Sequence, residues 1–459
     1  MLSEDLREFS RLFSAYTELR VQENTNRQVM LVNGSNARNH RTVNGGVSAR
    51  VYHDGSWGFA SSSQMERASV EKTISTATDN AKFLQVRKAR GKGDLPSNPF
   101  SHYQDVSKSS GQLEQKHLVN FAHAVDGHID KTYPDLISRT VVVRNLDIEK
   151  TVLTSDGSHA YSMTPRSFIY VILSMEKDGQ PVELFEAYGG LGSFRDVFPS
   201  TQALFGGLEK QYLHLTKKRD GVFAEAGVKT CVLDAELAGI LAHEAIGHTT
   251  EADLVMGGSV AKDLVRKVAA SPLVTLVDYA HTCDGENCPE PVYVDDEGSQ
   301  AQDAVIIRQG VLQGFLHNKE SALHFGVNPT GNARAFGFSD EPLIRMRNTA
   351  FVPGDSRLEE MIASVDDGYY LVKHGSGQAD STSEFMFGVT LGYEIKGGQL
   401  GRAIRDTTIS GVAFDMLKTV SMVSDSMKWI SSGMCGKKQM IPVGMGGPAI
   451  KCQVSIGGR

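Results

Sequence analysis

The sequence predicts an α+β protein of two domains. An N-terminal α/β domain over residues 1–220 places helices on a mixed or antiparallel sheet, and a mainly antiparallel β domain over residues 221–459 carries a single principal helix. Three observations lead there: two meanders of strand-length runs with turn dipeptides between them, stretches of helical apolar spacing beside each meander, and a shift near residue 229 to frequent glycine and extended runs. At 459 residues the chain is long enough for two or three domains of ordinary size.

Taken in order, Leu2, Leu6, Phe9, Leu12 and Phe13 recur at helical spacing and predict an amphipathic first helix. Strand-like runs follow at residues 17–22, 27–32, 46–52 and 57–60, with Asn33-Gly34 and Asp54-Gly55 as hairpin turns. Residues 64–86 predict a helix through Ala68, Val70, Ile74, Ala77 and Ala81. Residues 87–100, rich in Lys, Arg, Gly and Pro, predict a surface loop. A helix over 113–129 precedes the second meander, whose runs at 139–146, 151–154, 160–175 and 182–187 are broken by Asp156-Gly157 and Asp178-Gly179. The strong helix of the C-terminal domain covers residues 235–247.

Charge and composition exclude several functions. With 47 Lys+Arg against 54 Asp+Glu the net charge is −7, which speaks against a nucleic-acid partner. No apolar run is long enough to cross a bilayer; the best, residues 168–173, has strand length. The N-terminal stretch carries Glu4, Asp5 and Glu8 without an apolar run, so it does not read as a signal peptide, and a cytoplasmic location is expected. Five cysteines, an odd number, make no disulfide framework.

The sharpest chemical feature is His243-Glu244-Ala245-Ile246-Gly247-His248 on the apolar helix. Two imidazoles bracketing a glutamate suit zinc, with the carboxylate as base for an attacking water. The spacing is i, i+5, which sets the rings about 140° apart on a regular α-helix. Both reach one ion only if the helix kinks, ends or takes a π-type turn over residues 244–248, and Gly247 is where the backbone deviates most cheaply. The alternative is a buried structural histidine pair. A catalytic zinc needs a third ligand, and Cys435, between Gly433 and Gly436, is a candidate; its alternative is a small core cysteine. Cys283 and Cys288 read as a loop with two free thiols, Cys231 and Cys452 as packing residues, and Asp295-Asp296-Glu297 as a solvated turn.

These segments occur in a particular order: Gly45-Gly46-Val47 to Ala60, His243 to Asp253, Asp295 to Gly298, Gly331-Asn332-Ala333-Arg334, Arg345 to Thr349, and Cys435-Gly436-Lys437. Together they resemble the TldD/PmbA family, also called modulators of DNA gyrase, over nearly the whole chain. The family pairs a TldD-type subunit bearing HExxxH with a PmbA-type (TldE) subunit lacking it, and this chain resembles the TldD side. The resemblance implies a zinc metallopeptidase: His243, His248 and Cys435 as ligands to Zn2+, Glu244 as general base, and short or unfolded peptides as substrates. It implies a PmbA/TldE-type partner subunit or a homodimer, and no nucleic-acid or membrane partner. Asn332 and Arg334 are candidates for contact with the peptide or its terminus, the alternative being a structural turn. Two other readings compete: a non-catalytic, PmbA-type binding or assembly subunit, and a metal hydrolase acting on other amides or phosphoesters. The segment 281–291, with its two cysteines, stands apart from the family pattern.

Overall fold

The computed structural model describes residues 6–86, 93–107 and 113–457. The first meander forms β1 (Tyr16–Val32), β2 (Ser35–His53) and β3 (Ser56–Ser62). A short parallel strand, β4 (His102–Asp105), follows, and then the second meander, β5 (Ser138–Thr154), β6 (His159–Lys177) and β7 (Gln180–Leu191). They make one sheet in the order β3-β2-β1-β5-β6-β4, with β7 also on β6. The runs 17–22 and 27–32, expected as separate strands, are one strand. Glu23, Asn24, Thr25 and Asn26 break the apolar pattern but not the ladder, because β2 and β5 pair them on both sides. The first helix is a 3-10 turn, Leu6–Leu12, burying Leu6 and Phe9; Leu2 lies outside the described residues, as does part of the predicted 87–100 loop.

Alternation along β1 explains why this sheet is covered on both faces. Leu19, Val21, Val29 and Leu31 share one face and pack under α1 (Arg67–Gln85) and α2 (Gln115–Thr132). The opposite face carries Glu18, Arg20, Gln22 and Asn24, all buried. These side chains are matched by the second half of the chain. Gln22 and Asn24 donate to the Phe336 carbonyl at 2.7 Å, and Arg20 donates to the Asp340 carbonyl at 2.6 Å. A sheet face built of buried polar groups must find such partners.

The second half begins with β8 (Gly227–Leu233) and β9 (Leu276–Tyr279), then the small hairpin of β10 (Thr282–Cys283) and β11 (Glu286–Asn287). Next come β12 (Ala304–Arg308), β13 (Val311–Leu312), β14 (Ala333–Arg334), β15 (Leu343–Ile344) and β16 (Asn348–Phe351). β17 (Asp367–Ala379), β18 (Glu384–Lys396), β19 (Gln399–Ile404), β20 (Thr407–Val412) and β21 (Met422–Val423) follow. The chain closes with β22 (Lys428–Lys437), β23 (Gln439–Gly447) and β24 (Ile450–Gly457). One sheet runs β13-β12-β9-β16-β23-β22 and leaves β22 at its edge. The other runs β17-β8-β24-β20-β18-β19 and returns on itself through a β17–β18 pairing. Most pairings are antiparallel, so the chain is the α+β protein expected. No helix among the described residues is long and apolar enough to cross a membrane.

Asp295-Asp296-Glu297, expected as a solvated turn, is instead buried between the two halves. Asp296 pairs with Lys150 at 2.7 Å, and Glu297 with Arg50 at 2.6 Å. The buried Lys319 reaches Tyr16 and Asp156. A run of like charges reads as a surface from sequence, because its partners lie far away along the chain.

In this cluster Glu18 keeps one carboxylate oxygen without a hydrogen-bond partner, and its other oxygen is 3.4 Å from Arg50. Burial, offset by Arg50 and reinforced by Glu297, pushes its carboxyl up to about 8. The protonated acid is therefore favoured by folding. Its contribution is complete below the ordinary value of 4.5 and is lost as pH rises through about 8. Thermal unfolding from pH 6 to pH 9 is expected to show falling stability, and Glu18→Gln to flatten that slope. An unaltered slope in the variant would remove Glu18 as its source.

Candidate metal centre

The helix bearing the two histidines starts where β8 ends. Asp234 caps it, its side chain accepting from the Ala235 N–H at 2.8 Å. Naming earlier helices α3 (Phe194–Val197) and α4 (Phe205–Arg219), this one is α5 (Ala235–Leu241). It lies against β23, so closely that a Cβ on Gly239 would come within 2.7 Å of the Gly446 nitrogen. Leu237, Ala238 and Leu241 bury into the core shared with β8 and β23.

At Ala242 the backbone leaves α geometry. Ala242–Gly247 is a π-helix, followed by a 3-10 turn, His248–Thr250. This is the distortion that an i, i+5 pair needs. The ring centroids of His243 and His248 stand 5.2 Å apart with planes at 75°. Met346 packs directly on Gly247: a Cβ there would lie 1.9 Å from its Sδ, so any larger residue would have to displace that side chain.

Cys435 arrives from 187 residues downstream of His248, on edge strand β22, with its Sγ 3.2 Å from His248 Nε2. One potential ligand atom each from His243, His248 and Cys435 lie within 4.8 Å of one another, and this is the one such metal-suited group among the described residues. His243 is buried, yet neither ring nitrogen has a hydrogen-bond partner among the described residues. A buried imidazole left so is costly unless a further group binds it. The two imidazoles and the thiol are the donor types zinc takes, so the residues fit that ion.

Electrostatics favour the ligating form of the sulfur. Burial alone pushes the Cys435 thiol up, but His243 and His248 outweigh it and bring it down to about 4. Burial opposes charge on His248, and the neighbouring Glu251 with Cys435 raises it well above the usual histidine range. Glu251 accepts from His248 Nδ1 at 2.9 Å. The side chain of Glu244 is 27% exposed, with Oε2 3.7 Å from His248 Nε2.

Asn332 and Arg334 are both buried. Asn332 donates to Asp278 and to the Arg345 carbonyl, and Arg334 donates to Glu290 and to the Met346 and Pro442 carbonyls. Arg345 in turn donates to the Cys435 carbonyl at 2.6 Å. Sequence reasoning missed Glu251, Lys437 and Arg345 in this arrangement. The available signal for Lys437 was its place two residues after Cys435, on the same face of a strand. Cys283 and Cys288 are free thiols on and beside the β10–β11 hairpin, both buried.

The chain matches a class of metallopeptidases. A family model described as the PmbA/TldA metallopeptidase C-terminal domain matches residues 226–458, and one for domain 1 matches residues 17–81. A zinc metalloprotease TldD homolog of Saccharolobus solfataricus is 30% identical over 91% of this chain and 90% of its own. A metalloprotease TldD homolog of Haemophilus influenzae is 28% identical over 96% of this chain and 93% of its own. In fold, TldE from Thermococcus kodakarensis matches with a TM-score of 0.78 at 18% identity, covering 100% of both chains. A Thermotoga maritima protein described as a modulator of a DNA gyrase matches with a TM-score of 0.78 at 20% identity, over 98% of this chain and 100% of its own. The chain belongs to the TldD/PmbA family.

Proposed function

We propose that the protein is a TldD-type zinc metallopeptidase that hydrolyses short or unfolded peptides, with His243, His248 and Cys435 as ligands. The observation that carries this reading is the convergence of those three donors, from a π turn and a distant edge strand, beside the partly exposed Glu244. Held by His243, His248 and Cys435, a zinc ion would supply Lewis-acid polarisation of a carbonyl and a lowered pKa for bound water. Glu244 takes the proton of the attacking water and delivers it to the leaving amine. Glu251 holds the far nitrogen of His248, which keeps Nε2 facing Cys435.

An extended peptide that adds as a strand to an exposed sheet edge beside the metal, by main-chain bonds, gives a route to broad specificity. We assign Asn332 and Arg334 to holding the hairpin behind Cys435, because their bonds run to Asp278, Glu290 and carbonyls of that region. A PmbA/TldE-type subunit or a second copy as partner, and a cytoplasmic location, complete the proposal. Metal analysis tests it. The wild-type chain is expected to hold about one zinc, as a three-ligand catalytic site does, and His243→Ala to lose it. Unchanged zinc content in His243→Ala would end the assignment.

A further inference from the structure

We propose that Lys437 and Glu251 form a clamp that sets the zinc affinity of the site by joining its two halves before metal arrives; this rests on the zinc reading above. Cys435 and Lys437 stand two apart on β22, so both side chains leave the same face of the strand. The Lys437 ammonium donates to Glu251 at 3.0 Å, to Asp253 at 2.8 Å and to the Ile344 carbonyl at 3.1 Å. Glu251 is buried, and the same oxygen that meets Lys437 accepts from His248 Nδ1 at 2.9 Å. His248 Nε2 then faces Cys435 Sγ at 3.2 Å. The path from sulfur to imidazole to carboxylate to ammonium returns along the strand to Cys435, a closed circuit through both ligand-bearing elements.

Each member of that circuit has one job. Glu251 fixes the ring and leaves Nε2 as the ligand nitrogen. Lys437 holds Glu251 where it meets the ring and ties the strand carrying the sulfur to the turn carrying the histidine. The backbone at Glu251 has its own support, since Ala252 N–H donates to the Leu316 carbonyl and Leu316 N–H to the Thr250 carbonyl. Arg345 separately anchors the Cys435 carbonyl. Removing the Lys437 ammonium therefore disturbs the orientation of two ligands more than the course of the chain. Lys437 and Glu251 are positioning residues.

The test is zinc affinity, measured by competition with a chromophoric chelator on the full chain, with the unfolding midpoint of the zinc-free protein recorded beside it. Lys437→Met is expected to weaken zinc binding about 10- to 100-fold, the usual effect of losing a partner that orients a ligand, and to lower the zinc-free midpoint, because the Glu251 carboxylate stays buried without its ammonium. Lys437→Arg, which keeps a donor and a charge, is expected to recover most of the affinity. In the cobalt-loaded form, the sulfur-to-metal absorption band is expected to change in Lys437→Met. Zinc affinity within about twofold of wild type in folded Lys437→Met, against the expected loss, would overturn the clamp alone. Should that variant not fold, Lys437→Met/Glu251→Gln leaves no unpaired buried charge and carries the same expectation and the same refutation. A wild-type chain that takes up no zinc would overturn the zinc reading, and the clamp with it.

Discussion

Glu244→Gln is expected to lower peptide hydrolysis by about 10²- to 10⁴-fold while the zinc content stays at the wild-type level. The residue does not ligate in the proposed site, and its side chain is partly exposed beside His248, so neither metal uptake nor folding depends on it. Glutamine keeps the shape and loses the proton acceptor. In free-energy terms the loss is about 3–5 kcal/mol of transition-state stabilisation. It should appear in kcat with little change in KM, because the carboxylate acts on water and not on the bound peptide. Steady-state cleavage of a short unfolded peptide, with metal analysis of the same sample, decides it. Near wild-type turnover in a zinc-loaded variant would reassign the base.

The largest expected effect on stability is at Asp278, some distance from the reacting groups. Its carboxylate accepts from the backbone of Arg347 and Asn348, from Arg347 Nε, from Thr349 and from Asn332. Asp278 and Arg347 are both fully buried. Asp278→Ala leaves a guanidinium without its counter-charge in the interior, which costs about 3–5 kcal/mol. The damage should reach the metal centre through Asn332, whose amide bonds both Asp278 and the Arg345 carbonyl, and through Arg345 to Cys435. Denaturant unfolding is expected to show the stability loss and chelator competition a weakened zinc site. A change below about 1 kcal/mol would show that the network tolerates the missing carboxylate, contrary to the cost of breaking a buried ion pair.

The site was legible where local geometry constrains it. A pair of histidines five residues apart on an apolar helix demands a distorted turn, and residues 242–247 form that turn as a π-helix. The strand runs, the turn dipeptides and the helices beside them were readable for the same reason, since period 2 and period 3.6 are properties of neighbouring residues. Continuity was harder: the polar stretch Glu23 to Asn26 hides the unity of β1, because its neighbours β2 and β5 are what keep it extended.

Burial of charge was not legible at all. Asp295, Asp296 and Glu297 look like a solvated run, and only the N-terminal sheet, arriving with Arg20, Arg50 and Lys150, makes them an interior ion-pair cluster. Glu244 sits on an apolar helix, yet its side chain is partly exposed, while Glu251, three residues past His248, is buried beside that ring. By itself the sequence determined which residue types were present and how nearby ones are spaced. The tertiary structure decided which side chains meet: Cys435 reaches His248 across 187 positions, and Lys437 closes the circuit with Glu251. Local spacing follows from covalent geometry, whereas partners so far apart along the chain are selected by the packing of whole sheets.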